Sequence, residues 1–127
     1  VTKNGVAKKT NLADYRNVRT NGIKAIEIDD DDQLISVRLT SGDDHLMLVT
    51  SGGMAIRFHE SQLREQGRAT RGVRGIKLKP GQRVVSCAVA DSEATLLTVC
   101  ENGYGKRTAV EEYREAAAVD RGSGPSW

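Results

Sequence analysis

Arg64, Arg68, Arg71, Arg74, Lys77, Lys79 and Arg83 stand against a single acid, Glu65, within twenty positions, a net charge of +6. Cations at that density attract a polyanion. Catalytic chemistry has no comparable constellation. No Ser-His-Asp or Cys-His arrangement, phosphate loop or paired-carboxylate motif is visible. Asp29, Asp30, Asp31 and Asp32 offer oxygens to a hard cation, but they align with an acid-free turn later in the chain and read as a solvated turn. His45 and His59 lack partner histidines and read as surface or turn residues. The expectation is a binding protein with no catalytic residues, cofactor or metal.

Arg64, Arg68, Arg71, Arg74 and Lys77 follow steps of four, three, three and three, which would line one face of a basic helix suited to a membrane surface or a calmodulin-like partner. Gly67, Gly72 and Gly75 would each cost such a helix about 1 kcal/mol, and Val73 and Ile76 are β-branched. The segment therefore reads as loop, then strand. Gly75 is predicted to be a bulge that keeps Val73, Ile76 and Leu78 on one face. The three glycines also remove bulk where a ligand could approach the backbone.

The chain repeats itself. Residues 1–10 align with 49–58 at an offset of 48 and with 99–108 at a further 50. Asn4-Gly5, Gly52-Gly53 and Asn102-Gly103 read as two-residue type I′ hairpin turns, with positive φ at both residues. Tyr15-Arg16, Leu63-Arg64 and Tyr113-Arg114 keep the same offsets, and the exchange of tyrosine for leucine marks packing. Thr20 to Ile28 matches Thr70 to Leu78, Leu34 to Val37 matches Val84 to Cys87, and Leu46 to Val49 matches Leu96 to Val99. Four strands per unit of about 50 residues predict an all-β, propeller-like array of four-stranded antiparallel blades. The repeats span 1–48 and 49–98, with a partial third at 99–115. A closed ring needs roughly four to eight blades, so this is read as an incomplete ring within one domain, with strand edges near Val1 and Tyr104 to Thr108 open to self-association. Residues 116–127 break the pattern and read as an expression-derived or unrelated tail.

Composition bounds the partner. Of 127 residues only 4% are aromatic, and the net charge is +2. That average conceals an acidic stretch, Glu27 to Asp44, with seven acids and one base. Cys87 and Cys100 sit in apolar runs and read as free core thiols. With no run long enough for a membrane span and no signal-peptide pattern, a reducing, cytoplasmic setting is expected. Lys9, Arg57 and Arg107 are basic in all three repeats, as are Arg16, Arg64 and Arg114, while Lys24 and Arg74 agree in two. Solubility alone does not require charge at fixed repeat positions. Together with Arg68, Arg71 and Lys77 these are the predicted duplex contacts, the competing reading being a solvated strand face. Lys8, Lys106, Lys77 and Arg83 divide more nearly evenly between the two.

The hairpins Asn4 to Thr10 and Asn102 to Thr108, the run Gly72-Val73-Arg74-Gly75-Ile76 and Glu112-Tyr113-Arg114 resemble the C-terminal domain of the DNA gyrase A protein over about residues 1–115. The resemblance implies a six-bladed β-pinwheel, whose blades exchange strands with their neighbours and whose basic rim wraps duplex DNA. Wrapping in that family sets the handedness of the captured crossing, so that the enzyme introduces negative supercoils. The implied partners are duplex DNA, the remainder of the gyrase A protein and the gyrase B protein. The implied setting is the bacterial cytoplasm at the nucleoid, and the ATPase and DNA-cleaving tyrosine belong to other parts of the enzyme. The family's gyrase box (Gln, any residue, Arg, Gly, Gly, Lys, Gly) is not present. Its nearest echo, Gln66 to Gly72, keeps the glutamine, first arginine, a basic sixth position and last glycine. The equivalent domain of topoisomerase IV and a propeller-type protein scaffold are the alternatives. Recurrent arginine with few aromatics favours a phosphate backbone over a protein hot spot and over single strands, which need stacking platforms.

Overall fold

The computed structural model describes residues 1–115, and among them it contains strands and short 3-10 turns with no α-helix. The strands are β1 (Val6–Ala7), β2 (His45–Thr50), β3 (Ala55–His59), β4 (Val73–Arg74), β5 (Val84–Ala90), β6 (Thr95–Val99) and β7 (Gly105–Ala109). They form antiparallel sheets in the orders β1-β4, β3-β2-β5 and β6-β7, all open. The expectation placed on residues 116–127 lies outside the described residues.

β2 is the centre of the molecule. Strand side chains alternate faces: Leu46 and Leu48 join Ile56, Phe58, Ile76, Val84 and Cys87 in one core, while Met47 joins Ala55, Val110 and Tyr113 in another. Covering both faces explains why Leu46 to Val49 is a continuous apolar run. The predicted exchange of strands between repeats is present. β1 of the first repeat pairs with β4 of the second, Val6 opposite Arg74 and Ala7 opposite Val73. The chain is also tied across repeats at equivalent positions, by bridges Lys9 to Glu65 and Arg57 to Glu115.

Four readings change. The hairpin turns are not type I′, because no residue other than glycine has positive φ and Gly52 does not either. Gly5 donates to the Thr2 carbonyl at 3.1 Å and Thr2 to the Val6 carbonyl at 2.8 Å, with Gly5 at φ 89°. The same pattern recurs at Thr50 to Met54 and Cys100 to Tyr104. This is a three-residue loop, a type I turn closed by a left-handed glycine bulge. Only the second glycine of Gly52-Gly53 therefore needs positive φ.

The first repeat does not build four strands. Residues 23–28 join no ladder, and in the next predicted strand only Leu34 forms a bridge, to Thr2. The cause is pairing: in the second repeat β5 is held by β2 and β4 by β1, whereas no described strand takes the corresponding place beside residues 23–28 or 34–40. Val37 and Leu39 consequently stand 73% and 78% exposed.

Cys100 is exposed, whereas Cys87 is buried. Among the described residues β6 pairs with β7 alone, and none of them takes the place that β5 has beside β2, so they leave the end of β6 uncovered. Val73 likewise faces outward and does not share a core with Ile76. The bulge itself is present at Gly75, where the amides of Gly75 and Ile76 converge on the Gly5 carbonyl at 2.8 and 3.4 Å.

Candidate nucleic-acid interface

The charged loop 66–74 is held in place by its own chain. Gly72 has φ 94°, and a Cβ there would lie 2.6 Å from the Ala7 carbonyl oxygen. A Cβ at Gly75 would meet Ala7 and Leu48 side chains at 3.1 Å. These glycines admit the first hairpin, not a ligand, which replaces the reason assigned to them from sequence; Gly67 alone faces open space.

Lys8, alternating with the core residue Ala7, reaches into the loop. Its Nζ donates to the carbonyls of Ala25 (2.7 Å), Arg68 (2.5 Å) and Thr70 (3.2 Å). Burial, with Arg68 adding repulsion, lowers the Lys8 ammonium pKa. The Glu27 amide donates to the Thr70 carbonyl at 2.9 Å, and Arg68 Nη1 to the Lys24 carbonyl at 3.0 Å. The basic loop is thereby laid on the first residues of the acidic stretch. Arg71 Nη1 lies 2.9 Å from Asp29 Oδ1, and Lys24 pairs with Glu27. The hydrogen bond and charge of Lys24, with a further contribution from Arg71, hold the Glu27 carboxyl below the usual carboxylate range.

The recurrent basic residues divide by what they touch. Lys9 Nζ donates to the Glu60 carbonyl at 3.0 Å and sits 3.9 Å from the buried Glu60 carboxylate. Arg57, half-buried on β3, donates from Nε to the Tyr113 carbonyl at 3.0 Å. Each thus reaches the 3-10 turn of the following repeat, Glu60–Gln62 or Val110–Glu112, or the residue that caps it. Recurrence at this position has a structural cause that sequence reasoning missed. Arg107, the third member, is exposed on β7 opposite Leu97.

Arg16 and Arg64 are exposed beside their turns, Arg16 after the half-buried Tyr15 and Arg64 after the buried Leu63; Arg114 is exposed after the buried Tyr113. Arg74 projects from β4 opposite Val6, and Lys77 is exposed between buried Ile76 and half-buried Leu78. The structure thus brings Lys24, Arg68 and Arg71 into one cluster and places Arg57 and Arg114 at the junction of the second and third repeats.

Two groups read as solvated are engaged. The Asp32 carboxylate accepts from the Asn4 amide at 2.9 Å and the Gln33 amide at 2.8 Å. Burial opposes its ionisation, but bonds from Thr2, Asn4 and Gln33 outweigh that and lower its pKa. His45 and His59 do have each other, opposite in register with ring centroids 4.9 Å apart. His59 Nε2 lies 2.8 Å from Asp43, and His45 Nε2 lies 3.3 Å from Glu115. No group of three or more His, Cys, Asp or Glu residues among those described could hold a metal ion, and no described helix is long and apolar enough to cross a membrane.

A family model described as DNA gyrase C-terminal domain, beta-propeller, matches residues 1–41, 44–91 and 94–122. The DNA gyrase A protein of Escherichia coli (strain K12) is 47% identical over 121 residues, covering 95% of this chain and 14% of that protein. Its counterpart in Chlamydia trachomatis serovar D is 48% identical over 124 residues, covering 96% and 14%. The chain therefore spans only a small part of the curated relatives it matches. Among solved structures, the C-terminal domain of DNA topoisomerase IV superposes with a TM-score of 0.92 at 33% identity, covering 98% of this chain and 39% of that one. The DNA gyrase A C-terminal domain superposes with 0.84 at 28% identity, covering 97% and 41%.

Proposed function

The chain belongs to the DNA gyrase C-terminal domain family, and from that membership we propose that it binds and wraps duplex DNA as part of a type II topoisomerase, itself carrying no catalytic residue. The observation that carries this reading is a set of exposed cations, Arg16, Arg64, Arg74, Lys77 and Arg107, whose side chains make no hydrogen bond or ion pair among the described residues. A charge left unpaired on a rigid sheet or beside a fixed turn suits a phosphate, and contacts of that kind position a duplex without reading its bases. Arg114, Lys24, Arg68 and Arg71, each engaged within the chain, are further contacts under this reading. Lys9 and Arg57 add positive potential while bonded to carbonyls. In the intact enzyme the partners are the remainder of the gyrase A protein and the gyrase B protein, and wrapping sets the crossing for negative supercoiling. The topoisomerase IV structure, at TM-score 0.92, favours a second reading, the equivalent domain of that enzyme. Supercoiling by the intact enzyme separates the two, since only the gyrase reading requires net negative supercoils.

Duplex binding titrated against salt tests the common core. If about six phosphates are neutralised, log affinity falls against log salt with a slope near −5, about a thousandfold between 50 and 200 mM. Random and chosen duplexes should behave alike. Salt-independent binding, or tighter binding to single strands, would sink the proposal.

A further inference from the structure

We propose that Glu27 and Asp29 stand, in the unbound protein, where DNA phosphates stand in the complex: duplex binding at Lys24 and Arg71 is an exchange of an internal carboxylate for a phosphate. The inference rests on the duplex-binding reading above and adds an internal competitor to it.

The acids are delivered by backbone. Lys8 bonds to carbonyls on both sides of the seam, at Ala25 and at Arg68 and Thr70, while Glu27 N to Thr70 O and Arg68 Nη1 to Lys24 O add two further ties. With the two stretches fixed, Asp29 lies within reach of Arg71, while Glu27 meets Lys24 three residues before it on the same stretch. The pairs nevertheless face solvent, at side-chain exposures of 55% and 41% for Lys24 and Glu27 and 69% and 55% for Arg71 and Asp29. Rotation of the side chains suffices to open them, without moving the backbone.

The neighbouring acids Asp30 and Asp31 carry the same charge but make no ion pair among the described residues. Arg64, Arg74 and Lys77, which also lack acid partners, meet a duplex first. Lys24 and Arg71 follow by exchange, so the acids temper affinity at two named cations rather than repel DNA generally.

The test compares two double variants of the full chain, Glu27→Gln with Asp29→Asn, and Asp30→Asn with Asp31→Asn, in duplex binding by fluorescence anisotropy. Both remove two negative charges. Opening two exposed pairs is expected to tighten binding roughly three- to tenfold beyond the control variant, from about two- to threefold per pair, and the margin should shrink at high salt as the pairs are screened. Equal tightening in the two variants, or none in the first, overturns the exchange while leaving duplex binding intact. If neither the parent nor the first variant binds duplex at any salt, both readings fail. A circular-dichroism melt run on the same samples guards against a folding effect. Should the first variant melt well below the parent, the single substitution Asp29→Asn, at the more exposed pair, carries the comparison with Asp30→Asn.

Discussion

Arg57 Nε donates to the Tyr113 carbonyl at 3.0 Å, joining residues 56 positions apart across the second and third repeats. Lys9 performs the same service one repeat earlier, on the Glu60 carbonyl. A charged donor on a carbonyl contributes about 1.5 to 3 kcal/mol when buried, and Arg57 is half-buried. Arg57→Ala is therefore expected to lower stability by about 1 to 2 kcal/mol, against about 0.5 or less for Arg64→Ala. Chemical denaturation measures both. Duplex affinity should rank them in reverse, and a stable Arg57→Ala with lost affinity would contradict the structural role.

Gly72 and Gly67 form a second contrasting pair. Alanine at Gly72 meets a left-handed backbone, which costs roughly 1 to 2 kcal/mol by itself, and a carbonyl at 2.6 Å. The expected loss is about 2 kcal/mol or more. Gly67→Ala, with nothing within 4 Å, should stay within about 0.5 kcal/mol of the parent. Equal effects in urea unfolding would refute the internal role of Gly72.

Asp32 makes stability depend on pH. Its folded pKa is lowered from 3.8, so ionisation contributes stability that is present above the unfolded value and lost as pH falls through the folded one. Asp32→Asn should be less stable than the parent at pH 7. The gap should close as pH falls below about 4. A gap that persists undiminished at about pH 2 to 3 would mean that the amide, not the charge, is at fault.

The thiols report on packing. Cys100 should react with a maleimide or a disulfide reagent in the folded protein, whereas Cys87, buried and with its pKa raised by that burial, should react only on unfolding. Two fast thiols would place Cys87 outside the core.

Self-association is expected from the strand edge of β6 that no described residue pairs. Shifting the pair Leu46 and Val89 by 50 positions in opposite directions sets Leu96 of β6 opposite Leu39 of a second copy. Leu39 is 78% exposed. Light scattering at about 100 μM should detect dimers or larger species of this chain, and Leu39→Lys should shift them to monomer. A monomeric parent at that concentration would rule the pairing out.

The all-β class and the buried β2 run were legible in the sequence because they depend on spacing and apolar alternation, which survive in one dimension. Turn type was half legible. Asn-Gly fits both a two-residue turn and a bulged three-residue loop, and only the backbone of Asn4 and Gly52, neither at positive φ, separates them. Strands in the first repeat were overcounted for a different reason: a strand needs a partner, and sequence pattern reports the candidate without the ladder. For the interface, the sequence supplied the cations and their recurrence but not their engagement. Lys8 lies 17 to 62 residues from the carbonyls it binds, and Arg71 meets Asp29 from a different repeat. Which charges remain available to a phosphate is thus a property of tertiary contact, since a hydrogen bond or ion pair is set by distance in space and not by separation along the chain.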